Sequence, residues 1–538
     1  MKMTKSPSHF GVVRTFLLAG AMAFSPAAFA QTVEGEAEPP ADAPSPDDAS
    51  VLTVSEAEAN ASAADARSAL LEAQIAGLQA QLDSLKAQIG KATPSWKGAP
   101  QMADAEEGWS FKVRGRLMMD AAYAGKPDNF VANRNLGFNT RVRRFRIGVE
   151  GSLPAGFGYK AEVDYANSTV GFGDVVLTYA PAGKAFSATL GNHETLNGME
   201  QQTSSRWSSF IERAQVNDAF GNTRRLGLSV GYKSSDNLFR ADAGLFTAHS
   251  IDASVDNDGW IGAARITYAP PVANGFIHAG LNYQHREFQS NSNGVASVST
   301  GSPSTNQFAR YRARPFLQTT DQRFVDTGNF AAESDDIFGA ELYGVFKSLH
   351  LGGEAQMVKV NSYAAGSVAT GLDAFAGGTG VTPTDDPRFW GGHFEVGYFL
   401  TGETRGYKNG AWDRTKVLNP FNKGGWGAFQ VTGRYDYLDL DEADLIGGST
   451  TTFATGATSL NVTPAGLAGR QARGGKQTGY LLGLTWIPTD YVRFLFNYVH
   501  AEVKGGPFAA AANPLSTDPV NQRSYVTDSF AVRAQIDF

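Results

Sequence analysis

The segment SFAVRAQIDF, residues 529–538, decides the fold class of this chain. Apolar side chains such as Phe530 and Val532 alternate along it with polar or small ones, so that Arg533 and Asp537 share the opposite face. A period of two predicts a β-strand. An apolar exterior opposite a polar interior is typical of a strand in a transmembrane β-barrel. The segment therefore predicts a membrane-spanning strand at the end of the chain.

The same alternation returns from residue 111 onward in runs of about ten residues, the repeating unit of a transmembrane barrel. We count sixteen runs, near residues 111–123, 142–151, 158–166, 173–180, 185–191, 225–233, 238–247, 260–269, 276–288, 338–346, 349–360, 391–400, 426–439, 478–487, 490–503 and 526–538. An even number returns both ends of the barrel to the same side. The pattern predicts an all-β fold, a 16-stranded antiparallel transmembrane β-barrel over residues 111–538.

The connectors alternate in length, which supports the barrel. PAGF, PAGK, SSDN and PTD are short and built from turn residues, whereas the intervening connectors mostly run long. Outer-membrane barrels have short periplasmic turns and longer outer loops. Residues 401–425 are long where a turn is expected, which suggests a misplaced strand there. A soluble β-sandwich is the competing fold, but sixteen two-faced strands without a second apolar layer argue against it.

The N-terminus has the layout of a secretory signal peptide over residues 1–30, with basic residues, the apolar run FLLAGAMAF and the small-x-small site Ala28-Phe29-Ala30. No other stretch approaches the roughly 18 to 20 unbroken apolar residues of a membrane-spanning helix, so a membrane role requires strands. The chain has no cysteine. Disulfides and thiolate metal sites are therefore excluded.

Three segments lie between the signal peptide and the barrel. Residues 31–60 are acidic and Pro-rich, typical of a disordered linker. Residues 61–91 predict a coiled-coil helix, and residues 92–110 a second linker. The heptad seam consists of Leu71, Ile75, Leu78, Leu82, Leu85 and Ile89. A single amphipathic helix packed on the barrel is the alternative, and fewer than four heptads leave the oligomer number open.

The formal net charge of −7 does not select an anion or a cation, because residues 111–538 carry equal numbers of basic and acidic side chains. Only the placement of charge can do so. Arginine facing lipid at the bilayer midplane costs about 2 to 4 kcal/mol, so the arginines of the first two strands should face the lumen. These are Arg114, Arg116, Arg144 and Arg146. The alternative is that they merely pair with lumen carboxylates such as Glu150, Glu162 and Asp164.

The longest connector contains ARYRARP, in which Arg310, Arg312 and Arg314 are two residues apart. In an extended segment this spacing aims all three side chains the same way. Guanidinium groups bind phosphate oxygens through paired hydrogen bonds, so such a ladder suits the passage of phosphate. The alternative is a solvated basic loop that contacts lipopolysaccharide phosphates.

At these residues the chain resembles the phosphate-selective porin O and P family of Gram-negative outer membranes. The matching stretches are FKVRGRLMMD, RVRRFRIGVEG, TSSRWSSFIERA, YRARP, RFVDTG, YFLTGETRGYK, WGAFQVTGRYDY, LGLTWIPTDYVRFLFNYV and the terminal strand. The resemblance implies a homotrimer of 16-stranded barrels whose third long loop, here residues 192–224, narrows the pore. Carried over by motif, it implies a phosphate path lined by Arg116, Arg143, Arg144 and Arg206, an acidic residue near the central site at Asp164, and external ladder rungs at Arg312 and Arg314.

Two departures from the family pattern stand out. Phe316 occupies the position where the next arginine of the ladder is expected, and the lysine cluster of phosphate-specific members is hard to find in this chain. Strand parity also points Arg143 outward if Arg144 points inward. Either the strand begins after Arg143, or a bulge turns both side chains into the lumen.

We expect a passive, anion-preferring diffusion channel in the outer membrane, with phosphate as the favoured anion and the N-terminal segment in the periplasm. A general porin of other substrate preference is one alternative. A structural tether that contacts the cell wall or a periplasmic partner through residues 31–91 is another. An enzyme is not expected, because His193 and Glu194 beside Ser204 and Ser205 form no recognisable nucleophile motif. We expect no metal, cofactor or nucleic acid.

Overall fold

The structure is a computed structural model. The residues it describes are 54–89, 95–96, 98–104, 106–128, 135–166, 170–248, 251, 259–288, 308–362, 381–383, 385–447, 452–455, 458–461, 474–513 and 516–538. The predicted signal peptide and the first part of the predicted acidic linker, residues 31–53, lie outside them. Two units, residues 1–82 and 83–538, are described separately.

A closed barrel of 16 antiparallel strands forms the second unit, as the sequence predicts. The strands are β1 (Trp109–Ala124), β2 (Gly137–Ser152), β3 (Phe157–Asp164), β4 (Gly171–Tyr179), β5 (Phe186–His193), β6 (Arg225–Lys233), β7 (Phe239–Thr247), β8 (Trp260–Tyr268), β9 (Gly275–Glu287), β10 (Phe330–Phe346), β11 (Leu349–Ser362), β12 (Arg388–Phe399), β13 (Ala428–Asp439), β14 (Lys476–Thr489), β15 (Val492–Lys504) and β16 (Ser524–Asp537). Each pairs with the next, and β16 pairs with β1 in the register Arg533 to Asp120. All sixteen predicted runs are strands.

The two faces of the barrel follow the predicted alternation. On β16 the outward-facing Phe530 and Val532 are 57% and 41% exposed, whereas Arg533 and Asp537 on the inner face are 2% and 0% exposed. The exposed apolar side chains form the surface that faces lipid in a membrane, and the polar ones are buried because connectors fill much of the lumen. The inner face is therefore the charged one.

A β-bulge in β2 resolves the parity conflict at Arg143. Met118 of β1 pairs with Arg144 and Met119 pairs with Val142, so Arg143 is an extra residue between the two pairs. A bulge re-aims the side chains next to it. Both arginines therefore turn toward the lumen, while Val142 faces outward.

The connector between β12 and β13, residues 400–427, contains no misplaced barrel strand, because β12 and β13 pair directly with each other. The expectation of a misplaced strand within residues 401–425 is wrong. The connector forms a small hairpin, Tyr407–Lys408 with Ala411–Trp412, that reaches into the lumen. Its hydrogen bonds include Arg265 Nη2 to the Gly410 carbonyl oxygen, at 2.6 Å.

The connector of residues 194–224 and the described part of the next long connector, residues 308–329, also fold inward. Val216 and Phe220 from the first pack with Tyr311 and Phe324 from the second in one buried apolar cluster. This packing explains why long polar loops of a barrel contain bulky apolar side chains. The two connectors support each other inside the barrel.

The remaining elements are short. Among the described residues of the barrel unit, the helices are α2 (Met199–Gln202), α3 (Gln215–Ala219) and α4 (Gly506–Ala512), with 3₁₀ turns at Pro154–Gly156, Phe421–Lys423 and Val520–Gln522. Short strands occupy Ser95–Trp96, Pro100–Asp104, Pro271–Val272, Phe308–Ala309, Arg312–Ala313, Val325–Asp326, Val381–Pro383, Leu445–Gly447, Thr452–Thr455 and Thr458–Asn461.

The predicted linker at residues 92–110 is partly ordered. Pro100–Asp104 pairs with β1 in the register Met102 to Phe111, and β1 itself begins at Trp109. Backbone pairing with the first barrel strand, which the composition of this segment does not reveal, accounts for the difference.

The helix α1 spans Val54–Ile89 and therefore begins within the segment predicted as a disordered linker. Along it Leu71, Ile75, Leu78 and Leu82 are 57%, 53%, 65% and 52% exposed. The side chains of Leu85 and Ile89 lie outside the described ones. Among the described helices, none is long and apolar enough to cross a membrane.

Candidate functional site

The connector of residues 194–224 crosses the lumen and is held by both sides of the wall. The Ile211 amide donates to Asn497 Oδ1 of β15 at 2.8 Å, and its carbonyl oxygen accepts from Arg533 Nη1 of β16 at 2.6 Å. Nearby on the same part of the wall, Arg434 of β13 donates to Glu200 Oε1 of the connector at 2.7 Å. The connector itself leaves the wall at β5 and returns to it at β6, about eight strands away. The connector therefore divides the lumen at a fixed position.

A cavity of about 430 Å³ lies between this connector and the wall formed by the first strands. Its lining carries eight arginines and two lysines but three carboxylates. The cationic residues are Arg116, Arg144, Arg146, Lys160, Arg206, Arg213, Arg224, Arg240, Arg265 and Lys408, and the acidic ones are Asp174, Glu194 and Asp242. We call this space the basic cavity. Its composition favours the binding of an anion over that of a cation.

Several polar atoms in the lining of the basic cavity have no hydrogen-bond partner among the described residues. They are Arg116 Nε, Arg144 Nε, Arg240 Nε and Gln202 Nε2. All four are buried N–H donors, and a buried donor without an acceptor is costly. A multi-oxygen anion would supply the missing acceptors.

A second cavity, of about 200 Å³, lies beside the first. Arg314, Phe316 and Gln318 of the 288–329 connector form one side of it, and Arg144 and Arg213 line both cavities. The two spaces therefore meet at a pair of arginines, one from the wall and one from the crossing connector. We call the second space the upper cavity.

Arg213 and Arg144 are held differently at this junction. Arg213 donates to the carbonyl oxygens of Glu200 and Thr203 at 2.9 and 2.8 Å, so its position is fixed by neutral acceptors. Burial lowers the pKa of Arg213. Arg144 lies 3.9 Å from Asp164 Oδ2 through Nη1, a long contact. Neither guanidinium is neutralised by a close bidentate carboxylate.

The structure brings most of the sequence-predicted residues to the two cavities. Arg116, Arg144, Arg146 and Arg206 line the basic cavity, and Arg143, Arg144 and Arg314 line the upper one. Four other predicted residues, Arg114, Asp164, Arg310 and Arg312, are absent from both linings. Arg114 forms an ion pair with Glu150.

Some arginines of the first two strands pair with lumen carboxylates, which is the alternative that the sequence left open. Arg146 donates to Glu162 and Asp164 at 2.7 Å each, so Asp164 acts as its acceptor. Arg116 donates to Ser205 Oγ at 2.8 Å, and its Nη2 lies 3.6 Å from Glu162. The arginines of β1 and β2 are therefore partly compensated, and Arg144 is the least compensated of them.

The ARYRARP ladder is ordered but uneven. Arg310 donates to Asp326 through two bonds of 2.8 and 2.6 Å, and these hydrogen bonds raise its pKa. Burial lowers the pKa of Arg312 and of Arg314, and Arg314 Nη1 lies 3.5 Å from Asp218 Oδ1. Phe316 packs in a buried cluster with Phe210. The ladder therefore ends at Arg314, which is part of the lining of the upper cavity.

Sequence reasoning missed several cationic residues of the basic cavity. Arg213 and Arg224 lie on the crossing connector, Arg240 and Arg265 on β7 and β8, and Lys408 on the inward hairpin. Single arginines on the polar face of a strand or in a long loop carry no distinctive local signal. Their convergence depends on which connectors fold inward.

Glu212 was also missed, although it is the main acidic anchor of the crossing connector. It accepts from Arg143 Nε and from Arg533 Nη2, each at 2.8 Å. Burial alone would raise its pKa, but the charges of Arg143 and Arg533 lower it to about 2. Glu212 is therefore ionised, and it neutralises Arg143, whereas the neighbouring Arg144 has only the 3.9 Å contact to Asp164.

The residues considered for an enzyme are engaged elsewhere. His193 Nε2 lies 2.8 Å from Ser229 Oγ, whereas Ser205 Oγ accepts from Arg116. Ser204 Oγ lies 3.3 Å from Arg206 Nε. The described side chains thus place neither serine in a hydrogen bond with His193.

Residues 111–538 match the family model described as phosphate-selective porin O and P. A Caulobacter vibrioides protein described as uncharacterized is 31% identical over 454 residues, which cover 82% of this chain and 77% of the relative. Porin O of Pseudomonas aeruginosa is 22% identical over 427 residues, which cover 76% of this chain and 86% of the relative. The family match spans nearly the whole barrel.

Two solved structures are similar to this chain at a lower level. The outer membrane channel DcaP of Acinetobacter baumannii aligns with a TM-score of 0.43 at 14% identity, covering 81% of this chain and 99% of its own. An anion-selective porin from Comamonas acidovorans aligns with a TM-score of 0.42 at 12% identity, covering 80% and 100%.

Proposed function

The chain belongs to the phosphate-selective porin O and P family, and on that premise we propose that this outer-membrane porin is a passive channel that favours anions, with inorganic phosphate as its preferred permeant. The crossing connector sets the narrow part of the path. Anions enter past Arg314, pass from the upper to the basic cavity between Arg144 and Arg213, and leave past the inward hairpin.

The observation that carries the proposal is the lining of the basic cavity, in which ten cationic side chains oppose three carboxylates. An excess of one sign in a confined, low-dielectric space raises the local concentration of the opposite ion. In addition to this charge, the cavity has buried N–H donors without a partner at Arg116, Arg144 and Gln202. These donors require acceptor atoms in particular directions. Chloride satisfies the charge, but a phosphate oxyanion also satisfies several donors at once.

Conduction requires that no single site holds the anion too tightly. The arginines meet this requirement in two ways. Arg146 shares its charge with Glu162 and Asp164, and Arg314 faces Asp218 at 3.5 Å. Arg144, with only a 3.9 Å contact to Asp164, is the strongest candidate for the site that holds phosphate longest.

Reversal potentials of the purified mature chain in planar bilayers, under a KCl gradient, test the anion preference. We expect a potential of the sign that anion permeation gives. Addition of phosphate at constant ionic strength then tests the phosphate part, because a bound phosphate should block the chloride current in a saturable way. Cation preference contradicts the whole proposal, whereas anion preference without phosphate block contradicts only its phosphate part and leaves a general anion porin.

Assembly as a homotrimer, with lipopolysaccharide around the outer rim, completes the proposal. In α1 the exposed Leu71, Ile75, Leu78 and Leu82 form a seam that would be covered in a coiled coil of several chains. Chemical cross-linking of the mature chain should give trimers. Loss of the trimer on deletion of residues 31–92 would assign its assembly to the helix rather than to the barrel.

The same exposed seam favours a second candidate role, a periplasmic tether to the cell wall or to a partner. The deletion of residues 31–92 discriminates between the two roles because it leaves the barrel strands intact. A tether loses envelope integrity, measured as detergent sensitivity of cells, while the conductance of the purified barrel stays unchanged. Unchanged detergent sensitivity contradicts the tether.

A further inference from the structure

Two places on the outer surface of the barrel carry the same arrangement of side chains. The stretch YQHRE on β9 places Tyr283, His285 and Glu287 on one face of the strand, opposite Asp336 of β10. The stretch YVHAE on β15 repeats the pattern at residues 498–502, opposite Asp528 of β16. Neither belongs to the lumen, and the channel proposal uses neither.

The geometry is the same at both places. The tyrosine hydroxyl donates to the aspartate at 2.7 Å, and histidine Nδ1 lies 2.9 Å from the same aspartate oxygen. The other ring nitrogen, Nε2, lies 3.6 Å from Glu287 and, in the second copy, 3.5 Å from Glu502. An aromatic ring flanks each histidine on the other side, Trp260 at 5.1 Å and Tyr480 at 6.2 Å.

The aspartate orients each imidazole. An Nδ1–H that donates to a carboxylate leaves the Nε2 lone pair directed away from it, which is the usual arrangement of a metal-binding histidine and its supporting carboxylate. Zn²⁺ binds imidazole nitrogen and carboxylate oxygen at about 2.0 to 2.2 Å, so two of its tetrahedral ligands are about 3.4 Å apart. The observed separations between Nε2 and the glutamate oxygen match this span.

Both sites are open. The side chains of His285 and Glu287 are 26% and 38% exposed, and those of His500 and Glu502 are 33% and 51% exposed. Their strands run toward the long connectors at these positions, so the sites lie at the rim of the barrel where outward carboxylates cost little. The described residues contain no group of three or more metal-ligating side chains that could enclose an ion. Each site would therefore offer two protein ligands and leave the other positions to water.

We propose that the two outward motifs, His285 with Glu287 and His500 with Glu502, each chelate one divalent transition-metal ion of the Zn²⁺ class, with Asp336 and Asp528 as the residues that orient the imidazoles. The competing arrangement is an imidazolium held between two carboxylates, which needs no metal. Oxygen-preferring ions such as Mg²⁺ should bind less well, because one of the two protein ligands is a nitrogen.

Zinc binding to the untagged mature chain in detergent micelles, after removal of metals with EDTA, tests the proposal by equilibrium dialysis or calorimetry. We expect two saturable Zn²⁺ sites per chain. His285→Asn and His500→Asn should each leave one site, and the double variant none. Asp336→Asn should weaken one site about 10- to 100-fold, as loss of a supporting carboxylate does elsewhere. Asp236→Asn changes an exposed carboxylate in a turn that belongs to neither motif, and it should leave both zinc sites intact.

The conductance of each variant in planar bilayers controls for folding, because both motifs face away from the lumen. A wild-type chain that binds no zinc saturably overturns the proposal. So does a double variant that folds, conducts and still binds two ions. In either case the side chains of the two motifs contact one another without holding a metal ion.

Discussion

Arg533 and Asp120 form a bidentate ion pair across the seam where the last barrel strand meets the first, with both N to O distances at 2.7 Å. Each side chain is 2% exposed. Arg533 also donates to the Ile211 carbonyl oxygen and to Glu212 of the crossing connector. The seam that closes the barrel is therefore also the point at which the connector is anchored inside it.

Replacement of Arg533 should be costly. Arg533→Gln leaves Asp120 without its charge partner in a buried site, and the loss of one member of a buried pair costs about 3 to 5 kcal/mol. Arg493→Gln is the matched control, since Arg493 donates to the carbonyl oxygens of Arg206 and Ser208 and leaves no carboxylate unpaired. Urea unfolding in micelles measures the free energy of unfolding of both variants. An equal loss for the two variants contradicts the role of the ion pair.

Arg144→Gln should reduce the anion preference more than any single change outside the cavities. Arg144 lines both cavities, and its Nε has no hydrogen-bond partner, so its charge is available to the permeating ion. We expect the anion-to-cation permeability ratio to fall several-fold, read from the reversal potential. Lys184→Gln removes one positive charge from an exposed turn and should leave the ratio unchanged. Equal ratios for the two variants contradict the assignment.

The two ends of the arginine ladder should differ. Arg314→Gln removes a cation from the lining of the upper cavity and should weaken phosphate block, measured as a higher half-blocking concentration. Arg310→Gln should have a smaller effect, because Asp326 already neutralises Arg310 through two hydrogen bonds. A larger effect of Arg310→Gln would show that the outer rung, and not the inner one, captures the anion.

Acid should release the crossing connector through Glu212. Its folded-state pKa, about 2, lies below the unfolded value of about 4.3, so the stability it contributes is complete above pH 4.3 and is lost as the pH falls toward 2. The stability advantage of the wild type over Glu212→Gln should therefore be constant from pH 7 to about 5 and shrink below about pH 4.3. Melting temperatures measured across that range check it, and a constant difference contradicts it.

The bulge at Arg143 predicts an unusual tolerance to deletion. Removal of Arg143 leaves Val142 facing outward and Arg144 facing inward, so both faces of β2 are kept. Removal of Phe145 places Arg144 next to Arg146, and strand parity then turns one guanidinium toward lipid. Heat-modifiable migration on gels should detect a folded barrel for the first deletion and little or none for the second. The reverse result contradicts the bulge.

Much of the barrel was predictable because each strand carries its own signal. Alternation over about ten residues is a local property, and a lumen that excludes lipid turns it directly into inward and outward faces. All sixteen predicted runs are therefore strands in the structure, although the length of residues 401–425 had suggested that one was misplaced. The strands at residues 95–104 escaped prediction, because they form by backbone pairing with β1 and not by their own pattern.

The site was predictable only in part. Parity on a strand fixes the face of a side chain, and Arg116, Arg144 and Arg146 lie on the inner face as parity indicates. Parity alone could not place Arg143, since a bulge breaks the count and has no signature in this sequence. Glu212 of the crossing connector is separated from its wall partners Arg143 and Arg533 by 69 and 321 residues. Local patterns do not encode such contacts.

The sequence by itself determined that the chain ends in a membrane barrel, how many strands that barrel has, and that arginine is concentrated on the inner faces of its first two strands. The period-two alternation of side chains and the free-energy cost of placing a charge in lipid are enough for these conclusions. Only the tertiary structure decided which connectors enter the lumen, which arginines they neutralise and which they leave open. That outcome depends on long-range packing, such as Phe220 against Tyr311, and on buried ion pairs whose partners meet only when the barrel has closed.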